Sequence, residues 1–227
     1  MKILAPDSKF MIFLTVLCDL ALIGILTFVC CIPVITAGAA FTAKDRMCYR
    51  VLKGEGTGIV RDFFISFKTN LRQATFIWIM EMAVLLFFVL DVYLLKIYAG
   101  ETGLSIIYIL TGLLFFAYVM TIMVFPMLSR FENTVSGTLK NALTVSASIF
   151  PGAVLMGILY LIPPAVAAFF PGIIPFAVLF GSSGPGYLSA VLYRGCFEKL
   201  ESAYFNKLNR NSHFDEAEVE TLGQIDE

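Results

Sequence analysis

Long apolar runs alternate with short polar segments along the whole chain. Five of these runs carry few or no charged side chains, and each is long enough to cross the roughly 30 Å hydrocarbon core of a bilayer as a helix. We predict spans at residues 10–32, 74–95, 104–128, 142–162 and 165–192. The pattern therefore predicts an all-α, polytopic membrane helical bundle of about five transmembrane helices.

Two amphipathic segments lie between the first and second spans. In residues 36–53, apolar side chains lean to one side, and the cations Lys44, Arg46, Arg50 and Lys53 are placed elsewhere. In residues 59–73, an aromatic face is backed by basic residues, which is typical of a helix in the headgroup region. We predict two interfacial helices joined by a glycine-rich loop at 54–58.

Proline and small residues predict a turn, a helix break and a close helix contact in the second half of the chain. Pro163-Pro164 predicts a turn, and the run from Gly181 to Gly186 predicts a helix break that faces the bundle, because bare backbone at membrane depth must be packed or wetted. Small residues recur every fourth position at 144, 148 and 152, and again at 153 and 157. Such a stripe lets another helix approach closely and is compatible with a homodimer.

The distribution of charge predicts orientation. With 59% hydrophobic residues and 15% charged residues, the chain is far more apolar than a usual soluble domain. Lys and Arg number seven in the 36–73 loop, two in the 129–141 connector and four after the last span, against three on the other side. The excess marks the cytoplasmic side, so we predict an N-terminus outside and a C-terminus in the cytoplasm. We expect a single transmembrane domain over 1–208 and a short acidic cytoplasmic tail over 209–227.

Carboxylates inside the spans are the first candidates for chemistry. Asp19 and Glu81 are predicted at similar depths, where they could line a polar cavity that exchanges a proton or binds a cation. The alternative is that each is a buried carboxyl bonded to a nearby hydroxyl or backbone carbonyl. Ser182 and Ser183 lie at the predicted break, which could expose backbone groups to a substrate. We treat these four residues as a candidate polar intramembrane site.

Several classes of function lack the residues that they need. Gly181-Ser182-Ser183-Gly184 resembles a rhomboid-type nucleophile setting, but no span contains a histidine to act as its base, and His213 lies in the tail. No cysteine pair has metal-binding spacing, and no phosphate-binding loop is present. Attraction to anionic lipid explains the basic loop without nucleic acid. We therefore expect no enzyme activity, no catalytic residues, no metal and no cofactor.

Short motifs give the chain a family resemblance. Residues 33–39, PVITAGA, followed by residues 64–70, FISFKTN, resemble the YesL-like family of bacterial integral membrane proteins, whose motif positions here are Pro33, Thr36, Gly38, Phe64, Phe67, Lys68 and Asn70. Lys44 and Asp45 depart from the pattern, because the alanine-rich turn is expected to continue with apolar residues. The resemblance implies a domain of unknown function in the plasma membrane, often encoded beside carbohydrate-uptake systems in Gram-positive bacteria.

Two hypotheses of function follow. The first is a non-enzymatic accessory or regulatory protein associated with carbohydrate uptake, whose partner is a carbohydrate ABC transporter or another membrane protein. The alternative is a small transporter or channel whose polar path is lined by Asp19 and Glu81.

Overall fold

The computed structural model describes residues 9–98, 100–131, 134–200 and 202, and the regular elements in these ranges are all helical. Nine α-helices are described there: α1 Lys9–Cys31, α2 Ala37–Leu52, α3 Ile59–Tyr98, α4 Gly100–Thr121, α5 Val124–Leu128, α6 Val135–Ser148, α7 Phe150–Phe169, α8 Ile174–Phe180 and α9 Ser183–Leu200. Short 3-10 turns at Val34–Thr36 and Pro171–Ile173 precede α2 and α8. The all-α class is confirmed.

Four helical stretches are long and apolar enough to cross a membrane: Lys9–Cys31, Ile59–Ile97, Ile106–Leu128 and Phe150–Phe169. Pro171–Phe180 and Ser183–Leu200 make a fifth if this bent pair is one span. Large apolar side chains are exposed along these helices, as lipid-facing surfaces require. The count of four to five agrees with the predicted bundle.

The chain divides into two compact units, Met1–Leu192 and Tyr193–Glu227. In the second unit the rings of Tyr193 and Phe197 stack with centroids 4.5 Å apart, and Arg194 Nε donates to Glu198 Oε1 at 2.7 Å. The predicted boundary at 208/209 and the acidic tail lie outside the described residues.

Helix α2 lies inside the first unit, packed on α1, α3 and α5. Small residues at its start allow this, since a Cβ on Gly38 would come within 2.5 Å of the Ala74 carbonyl oxygen of α3. Twelve of its sixteen residues are buried, and Lys44 and Asp45 are among them. The prediction that Lys44 lies apart from the packed face of this helix is wrong, whereas Arg46 is exposed as expected.

Helix α3 joins a predicted interfacial helix and the second span without interruption. Its forty residues would extend about 60 Å, roughly twice the thickness of the hydrocarbon core. In the first half, Ile59, Phe63, Ser66 and Ala74 form a buried face. From Ile79 onward the large apolar side chains are mostly exposed. The connection between the second and third spans is shorter than the predicted gap of residues 96–103. Helix α3 ends at Tyr98, and α4 begins at Gly100.

The fourth predicted span, 142–162, is interrupted at Ile149, between α6 and α7. Ile149 leaves helical geometry with φ −113° and ψ 35°, and α7 begins at Phe150 with Pro151 in its first turn, where proline is favoured. Pro163 and Pro164 lie inside α7, which continues to Phe169. The predicted turn there is wrong, because the prolines remove hydrogen bonds without ending the helix.

Part of the small-residue stripe makes the predicted close approach. A Cβ on Gly157 would lie 3.3 Å from the Tyr118 ring of α4, and the adjacent Ala153 is fully buried. Thr144 and Ser148, by contrast, are exposed. The contact is therefore made between α7 and α4 within one chain.

The predicted break near 181–186 is present as a turn at Gly181–Ser182, between α8 and α9, with a bend of 47°. Ser183, Pro185 and Gly186 are buried, so the break faces the bundle as expected. Helix α8 approaches α1 closely at Gly24, where a Cβ would overlap the Leu179 carbonyl oxygen at 1.8 Å.

Candidate functional site

Lys44, Asp45 and Tyr160 form an ionic cluster in the interior of the first unit. Lys44 and Asp45 are 3% and 4% exposed, and Lys44 Nζ lies 3.1 Å from Asp45 Oδ1. Lys44 Nζ donates to the Tyr160 hydroxyl at 3.0 Å, and that hydroxyl donates to Asp45 Oδ1 at 3.2 Å. Each of the three groups therefore contacts the other two, and together they tie α2 to α7. We call this set the buried triad.

The surroundings of the buried triad are tightly packed. Lys44 Nζ lies 4.4 Å from the Tyr160 ring centroid and 5.3 Å from that of Phe41, so aromatic faces help to stabilise the cation. On the side of α9, a Cβ on Gly186 would come within 3.1 Å of Cys48 Sγ and 3.4 Å of Lys44 Cε. The Cys48 thiol donates to the Ser183 carbonyl oxygen at 3.6 Å. Helices α2, α7 and α9 thus pack against one another at this point.

Burial and pairing act in opposite directions on Asp45. Loss of solvent raises the pKa of its carboxyl, and the charge and hydrogen bond of Lys44, with the hydrogen bond of Tyr160, lower it. The net direction is upward, so burial outweighs pairing. Burial also raises the pKa of the Cys48 thiol to about 12, which makes this cysteine a poor nucleophile.

Asp19 lies beside the glycine-rich loop and not beside Glu81. A Cβ on Gly56 would come within 2.7 Å of Asp19 Oδ2, and both residues line a shallow groove of about 430 Å³ that also includes Arg61. Gly54 and Gly58 in this loop have φ values of +78° and +74°, which favour glycine. The glycines therefore allow this loop to pack closely against Asp19.

Glu81 lies far along α3 from that loop. Ile59, at the loop end of α3, precedes it by 22 residues, or about 33 Å of helix. Glu81 Oε1 is buried and has no hydrogen-bond partner among the described residues, and Tyr118 of α4 lies within electrostatic range of both Glu81 and Lys44. The structure thus does not bring Asp19 and Glu81 together.

Ser182 lies in the turn before α9, and Ser183 is the first residue of α9. The Ser183 hydroxyl donates to the Leu179 carbonyl oxygen at 3.1 Å, and the Ser182 carbonyl accepts from the Gly186 amide at 3.2 Å. Both interactions close the local turn. No histidine occurs in the described ranges to activate either hydroxyl, because His213 lies outside them. No group of three or more metal-ligating side chains is found within the described residues either.

The family-motif residues in 33–38 shape the start of α2. Pro33 ends α1, and the Thr36 hydroxyl donates to the Cys30 and Pro33 carbonyl oxygens at 2.8 and 2.9 Å, where the end of α1 leaves acceptors unpaired. Gly38 allows the approach of α3, and Trp78 of α3 donates from Nε1 to the Val34 carbonyl oxygen at 2.8 Å. These residues have a structural role.

The motif residues in 64–70 lie on the first half of α3. Phe64 and Lys68 are exposed, Phe67 is partly buried, and Asn70 Nδ2 donates to the Ser66 carbonyl oxygen at 2.9 Å. Asn70 also lines a concave surface.

That surface, which we call the arginine groove, has a volume of about 520 Å³ and lies between α2, α3 and α5. It combines three guanidinium groups, two carboxylates, three small polar side chains and three apolar ones: Arg46, Arg50, Arg130, Glu55, Asp62, Thr69, Asn70, Ser129, Ile65, Leu128 and Phe131. Arg50 donates from an Nη atom to Asp62 Oδ2, and its Nε lies 3.7 Å from Glu55 Oε2. The Arg130 guanidinium lies over the Tyr49 ring at 4.0 Å.

The chain resembles a family on the part that contains α1, α2 and most of α3. Residues 11–92 match the family described as "Protein of unknown function, DUF624". No significant match to a curated protein or to a solved structure is found. The family match thus covers the motif segments and Lys44 and Asp45, but neither Tyr160 nor Arg130.

The sequence contains one signal for the buried triad, since Lys44 and Asp45 interrupt an alanine-rich segment where apolar residues were expected. Tyr160 could not be assigned as their partner, because it lies more than a hundred residues away on a different helix. The arginine groove gave no sequence signal beyond the general excess of basic residues.

Proposed function

We propose that this protein is a non-enzymatic accessory or regulatory membrane protein that associates with a carbohydrate-uptake system, such as a carbohydrate ABC transporter. Several helices suited to a bilayer give it its membrane character. The link to carbohydrate uptake rests on the resemblance of the 33–39 and 64–70 motifs to the YesL-like family, with which the family match at 11–92 is compatible.

One observation favours the accessory role over the transporter or channel. Lys44, Asp45 and Tyr160 satisfy one another, and a Cβ on the adjacent Gly186 would lie only 3.1 Å from Cys48 Sγ, so the packing around them is tight. Intramembrane charges that serve transport line water-filled cavities or face a substrate. Charges that are packed against each other instead fix helices in place. The transporter alternative has less support, because its two path residues, Asp19 and Glu81, are separated.

The exposed face of α3 is a suitable surface for such a partner. Three basic side chains are exposed there: Arg61, Lys68 and Arg72. The large apolar side chains of Phe64 and Ile65 lie among them and are 40% and 49% exposed, respectively. Aromatic residues and arginine are enriched at interfaces that bind a partner.

Site-specific photocrosslinking in native membranes tests the association. A photoreactive amino acid at Lys68 should crosslink to a membrane subunit of a carbohydrate transporter, whereas the same group at Thr111, exposed on α4, should not. Recovery of no transporter component from position 68 would count against the proposal.

Reconstitution separates the two hypotheses. Vesicles that contain only this protein should show no saturable sugar uptake. Uptake that is present in the wild type and lost in Glu81→Gln would overturn the accessory role and establish the transporter instead.

A further inference from the structure

We propose that the arginine groove binds a hydroxylated phosphate ester, either the headgroup of a glycerophospholipid such as phosphatidylglycerol or a soluble polyol phosphate. This site shares Ile65 with the surface proposed above for the transporter partner, but its arginines, Arg46, Arg50 and Arg130, lie outside α3, so the two proposals are tested separately. A failure of one proposal leaves the other standing.

The charges of the groove provide the phosphate site. Three guanidinium groups face two carboxylates, which leaves one excess positive charge. Arg50 is already paired with Asp62 and lies near Glu55. Arg46 is exposed and makes no hydrogen bond or ion pair among the described residues, although its charge acts on the nearby Asp62 carboxylate. Its planar group is therefore available for the bidentate geometry that guanidinium groups adopt with phosphate.

Neighbouring contacts hold the site open. Arg50 joins α2 to Asp62 of α3, and Arg130 is positioned by the Tyr49 ring. Arg46 and Arg50 are four residues apart on α2, so they lie on the same helix face. Preorganised cations lose little conformational entropy when an anion binds.

The rest of the lining fits the ester group and not a bare phosphate ion. The carboxylate oxygens of Glu55 and Asp62 can accept hydrogen bonds from the hydroxyl groups of a polyol. Ile65, Leu128 and Phe131 add an apolar side to the groove. A phosphate joined to a glycerol unit presents anionic, hydroxylated and apolar parts in this combination.

Measuring the binding of small ligands to protein purified in a phosphate-free neutral detergent tests the site. The Arg46→Gln variant is compared with Arg72→Gln. Arg72 is also exposed but lies outside the groove, so both variants lose one surface cation. The probes are dioctanoyl phosphatidylglycerol, sn-glycerol 3-phosphate and inorganic phosphate, with dioctanoyl phosphatidylcholine as a lipid that lacks the hydroxylated headgroup. We expect Arg46→Gln to weaken binding of a glycerol phosphate probe roughly ten- to hundred-fold and Arg72→Gln to change it less than about two-fold.

The probes also distinguish the source of the ligand. Binding of phosphatidylglycerol alone identifies a lipid site, and binding of glycerol phosphate as well identifies a site open to soluble esters; either supports the proposal. Equal loss in the two variants would overturn it, because general attraction to anions would then explain the binding. The proposal would also be overturned if the wild-type protein bound inorganic phosphate or phosphatidylcholine as tightly as it binds the glycerol phosphate probes.

Discussion

Replacing Lys44 by methionine removes one charge from the buried triad and leaves the Asp45 carboxyl without its cation. Lys44 Nζ lies 3.1 Å from Asp45 Oδ1, and both side chains are almost fully buried. Breaking a buried ion pair by removing one partner costs about 3–5 kcal/mol. For a protein of 150–250 residues each kcal/mol lowers the midpoint of thermal unfolding by about 2–4 °C, so we expect a decrease of roughly 6–20 °C near neutral pH.

The loss should depend on pH in a defined direction. Burial raises the pKa of Asp45, and Lys44 is the strongest of the groups that lower it. Without Lys44 the folded-state pKa rises further above the unfolded value. A raised folded-state pKa gives a contribution to stability that is full at low pH and is lost as the pH rises through that pKa. The deficit of Lys44→Met should therefore be smaller at pH 5 than at pH 8.

Thermal unfolding of detergent-purified protein measures both effects. Lys140→Met is the matched control, because Lys140 is exposed on α6 and its replacement should change stability by less than about 0.5 kcal/mol. Lys44→Met combined with Asp45→Asn should recover part of the loss, since no buried charge then remains unpaired. Equal midpoints for the two single variants, or a deficit that is the same at pH 5 and pH 8, would refute the buried ion pair.

Three further predictions follow from close approach, burial and charge. Gly38→Ala should destabilise by about 1–3 kcal/mol because its Cβ meets the Ala74 carbonyl oxygen at 2.5 Å, whereas Gly112→Ala, with open space around it, should be neutral or stabilising in the same unfolding assay. Cys48 should resist maleimide at pH 7.5 until the protein is unfolded, as peptide mass mapping would show, because burial raises the pKa of its thiol to about 12; rapid labelling of folded protein would contradict its position. A fluorescent protein fused after Glu227 should fluoresce and an alkaline phosphatase fusion should be inactive, since cationic connectors favour a cytoplasmic C-terminus; the reverse result would invert the orientation.

The membrane-suited helices could be predicted because their length and apolar composition are properties of each segment alone. The run 10–32 corresponds to α1 within one residue at each end. Element ends that depend on tertiary context were less predictable. Pro163-Pro164 is a strong local turn signal, yet α7 continues through it, whereas the actual break at Ile149 has only the nearby Pro151 as its signal.

The candidate site was the least predictable part, because it depends on which helices pack together. Asp19 and Glu81 were paired by their expected depths, but depth does not determine which neighbours a side chain has around the helix axis. Lys44 was placed on a polar face since an isolated amphipathic helix exposes its cations. Helix α2 is not isolated, and its partner Tyr160 comes from a distant segment.

The close helix packing at Gly38 and the contacts of the buried triad depend on each other. Gly38 and the small residues that follow it bring α2 into backbone contact with α3, so side chains about two turns later have little access to solvent. Lys44 and Asp45 lie at those positions, and an unpaired charge there would be strongly destabilising. Neutralisation within the protein is then required, and Tyr160 supplies the hydroxyl that contacts both charges. The same contact ties α7 to α2, so the two charges that the approach of α2 to α3 buries also hold α7 in place.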